Sequence, residues 1–106
     1  MAAASALAAR CGAVVLLKGA TTVVADPAGN VLLATAGSPR LATAGTGDVL
    51  SGVIGAFVAR GVEPHRAAAL GAHVHGRAAE LGLAEGLVAG DLPGLVGRWL
   101  SSVPRG

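Results

Sequence analysis

One cysteine, Cys11, stands in the 106-residue chain. An internal disulfide and any multi-cysteine metal site are thereby excluded. Beside Gly12 and ahead of an apolar run, Cys11 is expected to be a small packing residue. Tyrosine is absent, and Phe57 and Trp99 are the only other large aromatics. A core drawn from Ala, Val and Leu must bring backbones close together, which suits layered α/β structure. Charged residues make up 13 %, against an ordinary value of about 25 %. With a net charge of +2 and 53 % hydrophobic residues, the composition is not that of a disordered chain. Lys18 is the only lysine, and the arginines that carry the rest of the positive charge are scattered. No basic run and no interleaved aromatics exist, which speaks against a nucleic-acid partner. No stretch approaches the roughly 18 consecutive apolar residues of a membrane span. The alanine-rich segment from Met1 to Ala9 lacks a basic start, and Arg10 interrupts it, unlike a signal peptide. A cytoplasmic protein is the expectation.

What is present reads in the order helix, strand, hairpin, glycine loop and three helices. Residues 2–10 form an alanine-rich helix end. Ala13 to Leu17 is a continuous apolar run, the pattern of a strand buried on both faces of a parallel sheet. Thr21–Ala25 and Val31–Thr35 are strands joined by Asp26-Pro27-Ala28-Gly29-Asn30, which carries strong turn chemistry. The pair reads as an antiparallel hairpin. After the glycine-containing loop 36–47, Leu50, Val53, Ile54, Phe57 and Val58 share one helix face. Gly52, Gly55, Ala56 and Ala59 leave the other face thin, fit for a close neighbour, a ligand or a tolerant surface. Gly61 ends that helix. Pro64 opens the next, with Ala67, Leu70, Gly71, Val74, Ala78 and Leu81 on one face. Asp91 is the expected N-cap of a last helix over Gly94–Leu100, on which Trp99 packs against the domain. One strand and a hairpin do not close an α/β core. Residues 1–106 therefore read as one partial unit, the C-terminal part of a larger α/β domain.

The chemistry concentrates in Gly45-Thr46-Gly47-Asp48-Val49-Leu50-Ser51-Gly52. Glycines ahead of a helix let backbone N–H groups face an anion without a Cβ in the way. The helix N-terminus adds partial positive charge. Such a loop handles phosphate. Asp48 has two readings on local chemistry: it caps the helix, or it accepts a proton from an attacking hydroxyl. The loop is not a P-loop, because no Lys-Ser/Thr follows Gly52. It is not a dinucleotide fingerprint, because Leu50 takes the place of the last glycine. Lys18-Gly19-Ala20-Thr21-Thr22 directly follows the first strand, and strand ends are where α/β ligands bind. Lys18 reads either as a solvated residue or as a partner for a nucleotide phosphate. His73 and His75, two apart on a helix, face different ways and do not chelate one metal. Each histidine, His65 included, reads as surface or packing, and no metal ligands are assigned.

Lys18-Gly19-Ala20-Thr21-Thr22, the Asp26–Asn30 turn and Leu41-Ala42-Thr43-Ala44-Gly45-Thr46-Gly47-Asp48-Val49-Leu50-Ser51-Gly52, in this order, resemble the ADP-dependent NAD(P)H-hydrate dehydratases. His75-Gly76 and Ala89-Gly90-Asp91-Leu92-Pro93 fit that family's C-terminal pattern. Ala44 departs from it, standing where many members carry another glycine. The resemblance covers nearly the whole chain but less than half of the family's domain. It implies the C-terminal portion of a ribokinase-like layered α/β fold, with a β-hairpin and C-terminal helices. It implies repair of hydrated NADH or NADPH (NAD(P)HX), in which ADP or ATP, with Mg2+, phosphorylates the hydrate hydroxyl and phosphate is then eliminated. Lys18, Gly19, Ala20, Thr21, Thr22 and Gly47 would contact the adenine nucleotide. Asp48 would lie at the hydrated nicotinamide and act as base. The partners implied are these small molecules, with a homo-oligomeric full-length protein. Two alternatives stand beside this one: a ribokinase-like kinase of vitamin precursors or sugars, and a non-catalytic nucleotide-binding fragment.

Overall fold

Alanine has the highest helix propensity, and α1 (Ala2–Cys11) is built on it. In the computed structural model, which describes residues 2–19, 21–36, 45–82 and 85–104, Gly12 ends this helix with φ +64°. Its N–H returns to the Ala8 carbonyl at 2.9 Å. Ala4 and Ala8, one turn apart, are fully buried against Ala25, with Val15, Val23 and Val31 around them. Cys11, expected as packing, is exposed; as the terminal residue of α1 it stands outside this contact.

Three strands follow: β1 (Val15–Leu17), β2 (Thr22–Ala25) and β3 (Val31–Ala34), in the order β1-β2-β3. The hairpin is as expected, with Val23 opposite Leu33 and Ala25 opposite Val31. Its turn is held by the Asp26 carboxylate, which accepts from the N–H groups of Ala28 and Asn30 at 3.0 and 2.8 Å. Gly29 supplies φ +93°. The first strand corrects the sequence reading. β1 pairs antiparallel with β2, Val15 opposite Ala25, and is only partly buried, Leu17 being exposed. The link at residues 18–21 is too short for the crossover that a parallel pairing needs. An apolar run cannot by itself distinguish the two arrangements.

Alternation sends Val15, Val23, Ala25 and Val31 toward α1, and Leu16, Val24 and Ala34 toward the opposite layer. That layer holds α2 (Thr46–Ala59) and α3 (Pro64–Glu80). Leu50 and Ala72 pack on Ala34, with Leu16 and Ile54 beside them. Gly61, at φ +92°, ends α2 as expected, and the N–H groups of Gly61 and Val62 bond to the carbonyls of Val58 and Phe57. This is a Schellman closure. Val58 is more exposed than its place on the apolar face suggested. Gly52 and Ala56 line an open apolar groove with Pro93, Val96 and Leu100, and no atom approaches within 4 Å of a Cβ placed on Gly52 or Gly55. Among the described residues no close neighbour sits on the thin face.

Glu63 caps α3, its carboxylate accepting from the N–H groups of His65 and Arg66, and Pro64 occupies the first turn. Of the expected face, Ala67, Gly71, Val74 and Ala78 are buried, but Leu70 and Leu81 are exposed, and the buried surface widens to Ala68, Ala72, His75, Gly76 and Ala79. The reason is close approach: a Cβ on Gly71 would come within 2.5 Å of Ile54. On the α3 side, small residues rather than leucines therefore meet Leu50 and Ile54 of α2. A 3-10 turn (Ala89–Asp91) leads into α4 (Leu92–Ser102), which starts directly after Asp91 as expected, and Leu92 is fully buried with Ala79 and Leu87. Asp91 holds the N-cap position without a capping bond to α4. Its carboxylate accepts instead from the Val88 N–H at 2.9 Å. Trp99 packs edge-on against His73, their ring centres 5.7 Å apart. The layered α/β architecture, hairpin and C-terminal helices agree with the fold class expected from sequence. No helix among the described residues is long and apolar enough to cross a membrane.

Candidate functional site

Gly45, at φ +88°, turns the chain into α2. A Cβ placed there would meet the Ala89 side chain at 3.1 Å, so the 3-10 turn lies directly on the loop. Thr46 is buried and Gly47 is half-buried. The N–H groups of Asp48 and Val49 fold back on the Gly45 carbonyl at 3.2 and 3.4 Å. The N-cap of α2 is Gly45, and no side chain makes a capping bond there. The capping reading of Asp48 is thereby removed. Asp48 sits in the first turn, where its charge suits the helix dipole, and its side chain is exposed.

Lys18 comes to the same place from the end of β1. Its Nζ lies 3.6 Å from where a Cβ on Gly47 would stand. An ammonium group thus meets the positive end of α2 across a residue without a side chain. Two like-signed elements converge on one small volume, and the arrangement suits an anion. Gly19 and Thr21 are exposed beside Lys18, and Thr22 pairs with Ala34 in the sheet. Ala20, and Leu41 to Ala44 of the loop, lie outside the described residues.

The sequence reading undervalued His75. It is 2 % exposed, and its Nε2 has no hydrogen-bond partner among the described residues. Burial above all, and then the charge of Lys18, hold its ring below the ordinary imidazole range; a hydrogen bond to the Thr46 backbone acts the other way. Gly76 beside it is obligatory, because a Cβ there would collide with the Ala36 carbonyl. The adjacent His75-Gly76 pair was the signal in the sequence. Lys18, Thr46, Gly47 and His75 therefore form one cluster at the α2 N-terminus. His65 and His73 belong elsewhere: His65 Nε2 bonds to the Val24 carbonyl at 2.9 Å, and His73 stacks on Trp99.

The sequence profile described as NAD(P)H-hydrate dehydratase matches residues 1–100. Over 92 residues the chain is 50 % identical to the bifunctional NAD(P)H-hydrate repair enzyme Nnr of Mycobacterium leprae, covering 87 % of this chain and 19 % of that protein. It is 44 % identical over 94 residues to the ADP-dependent (S)-NAD(P)H-hydrate dehydratase of Neisseria meningitidis, covering 84 % of this chain and 31 % of that protein. The ADP/ATP-dependent NAD(P)H-hydrate dehydratase from Bacillus subtilis, co-crystallized with ATP/Mg2+, shares the fold with a TM-score of 0.85 at 35 % identity. That match covers 94 % of this chain and 38 % of the other. The chain spans less than two fifths of the length of each of these relatives. Sequence and fold agree over nearly its whole extent, and the chain belongs to the NAD(P)H-hydrate dehydratase family.

Proposed function

We propose that this chain carries the nucleotide and base elements of an ADP- or ATP-dependent (S)-NAD(P)H-hydrate dehydratase acting in the cytoplasm, as part of a homo-oligomeric full-length protein. The observation that supports this most is the Lys18 ammonium held against Gly47 at the start of α2. Lys18 neutralises nucleotide phosphate, Gly47 lets phosphate approach the backbone, and Gly19 to Thr22 flank it. Asp48, exposed and outside the N-cap position, which Gly45 holds, takes the proton from the hydrate hydroxyl as that oxygen attacks the terminal phosphorus. The P–O bond to the nucleotide breaks. The C–O bond of the new phosphate ester then breaks with its electron pair going to the departing phosphate, a proton is lost from the neighbouring carbon, and the double bond of the reduced nicotinamide is restored. No group of three possible metal ligands converges among the described residues. Magnesium would therefore be held chiefly by nucleotide oxygens, and no step is assigned to it.

The test is recovery of NADH absorbance from hydrated NADH with ADP or ATP and Mg2+, in the wild type and in Asp48→Asn. Recovery by the wild type and its loss in the variant are expected; no recovery by the wild type sinks the proposal for this chain. A second reading, a nucleotide-binding fragment without catalysis, is favoured by the short span relative to the relatives. It predicts saturable ADP binding by calorimetry with no NADH recovered.

A further inference from the structure

His75 is a buried titratable side chain at the site whose chemistry the proposed reaction leaves unused. The Thr46 contact favours the protonated ring, so it engages a ring N–H as donor. Nε2 is the unpartnered nitrogen, so that donor is Nδ1. In the neutral ring Nε2 then carries a lone pair, buried with the residue at 2 % exposure. A buried acceptor without a donor is costly and marks a place where a partner is due. The charged donor brought to this end of α2 is Lys18, whose Nζ stands 3.6 Å from where a Cβ on Gly47 would be, one residue along from Thr46.

We propose that His75 is a positioning residue for Lys18: its Nε2 accepts a hydrogen bond from the Lys18 ammonium when anionic nucleotide occupies the α2 N-terminus, while Nδ1 fixes the first turn through Thr46. This rests on the nucleotide reading given above. A lysine on a four-carbon stem spends many rotamers when it is ordered. A fixed acceptor beside Gly47 selects the rotamer that faces phosphate. Three ammonium protons allow Lys18 to keep this bond and still donate to the anion.

The experiment measures ADP affinity by calorimetry, with Mg2+ present, for the wild type, Lys18→Ala, His75→Asn, His75→Gln and the Lys18→Ala/His75→Asn double variant. Thermal melts by circular dichroism establish that each is folded. Asn keeps a donor toward Thr46 but loses the acceptor; Gln keeps an acceptor at the ε position. About a tenfold loss is expected for His75→Asn, near-wild-type affinity for His75→Gln, and no further loss when His75→Asn is added to Lys18→Ala. Equal affinity of His75→Asn and wild type overturns the inference, and so does an undiminished loss in the Lys18→Ala background. Absence of ADP binding by the wild type overturns both this inference and the nucleotide reading. ADP binding without recovery of NADH sinks the dehydratase reading alone, and the His75 comparison still decides the inference.

Discussion

His65, in the first turn of α3, donates from Nε2 to the carbonyl of Val24 in the middle strand at 2.9 Å, and its Nδ1 lies 3.7 Å from the Asp26 carboxylate. The bond spans 41 positions of sequence and fixes where α3 starts against the sheet. Both partners are buried. His65→Leu removes this bond between α3 and the sheet, at a cost of about 0.5–1.5 kcal/mol. A urea titration is expected to show a lower midpoint with unchanged slope, and ADP affinity is expected to stay as in the wild type.

Gly76→Ala is expected to be among the most damaging single changes. The added methyl meets the Ala36 backbone, which cannot rotate aside as a flexible side-chain end would. Overpacking costs about 1–3 kcal/mol, more where backbone must move. Circular dichroism melts of Gly76→Ala and Gly90→Ala give the contrast, since a Cβ on Gly90 meets nothing within 4 Å.

Gly47→Ala separates folding from binding. Its Cβ would touch Lys18 Nζ at 3.6 Å, an ordinary contact, so stability should hold. The methyl nevertheless stands between the ammonium and the helix terminus. ADP affinity is expected to fall by about tenfold or more, measured by calorimetry on protein whose melting curve matches the wild type.

The pH dependence of stability has a definite sign. The folded-state pKa of His75 lies below its ordinary value of 6.5, so below that pH the unfolded chain binds the proton that the folded chain refuses. Its contribution is fully present above pH 6.5 and declines as pH falls toward the folded value. Asp26 acts in a separate window. Its carboxyl is held below 3.8, first by the Asn30 side chain, and the stability it adds is lost only below that pH. Melting temperatures from pH 8 to pH 5 should fall in the wild type and fall less in His75→Gln.

The sequence disclosed the elements well where chemistry was local. The Asp26–Asn30 turn, Pro64 at a helix start and Gly61 at a helix end each rest on one residue's backbone preference, and each stands as expected. Failures arose where a distant partner decides. The direction of β1 depends on the length of the link to β2, not on the apolarity of Val15 to Leu17. The buried face of α3 depends on how close α2 comes. Gly71 stood on the expected face and is in contact with α2, but Leu70 and Leu81, which looked like anchors, are exposed, and Ala72 packs in the core instead. Asp48 looked as much like a cap as a base until Gly45 took the capping position. His75 was in view beside Gly76, but nothing local says that its ring is buried against Thr46 and within reach of the Lys18 charge.

The contact of Ala4 and Ala8 with Ala25 has an evolutionary consequence. Where methyl groups meet methyl groups between layers, almost every replacement is larger and pries the layers apart. Leucines at positions 7, 32 and 33, by contrast, are exposed to solvent and have room to vary. A saturation map of this protein should therefore run opposite to intuition about residue size. Its drift-resistant positions would include these small, chemically silent alanines, and the exposed leucines Leu7, Leu32 and Leu33 would be places where lineages diverge.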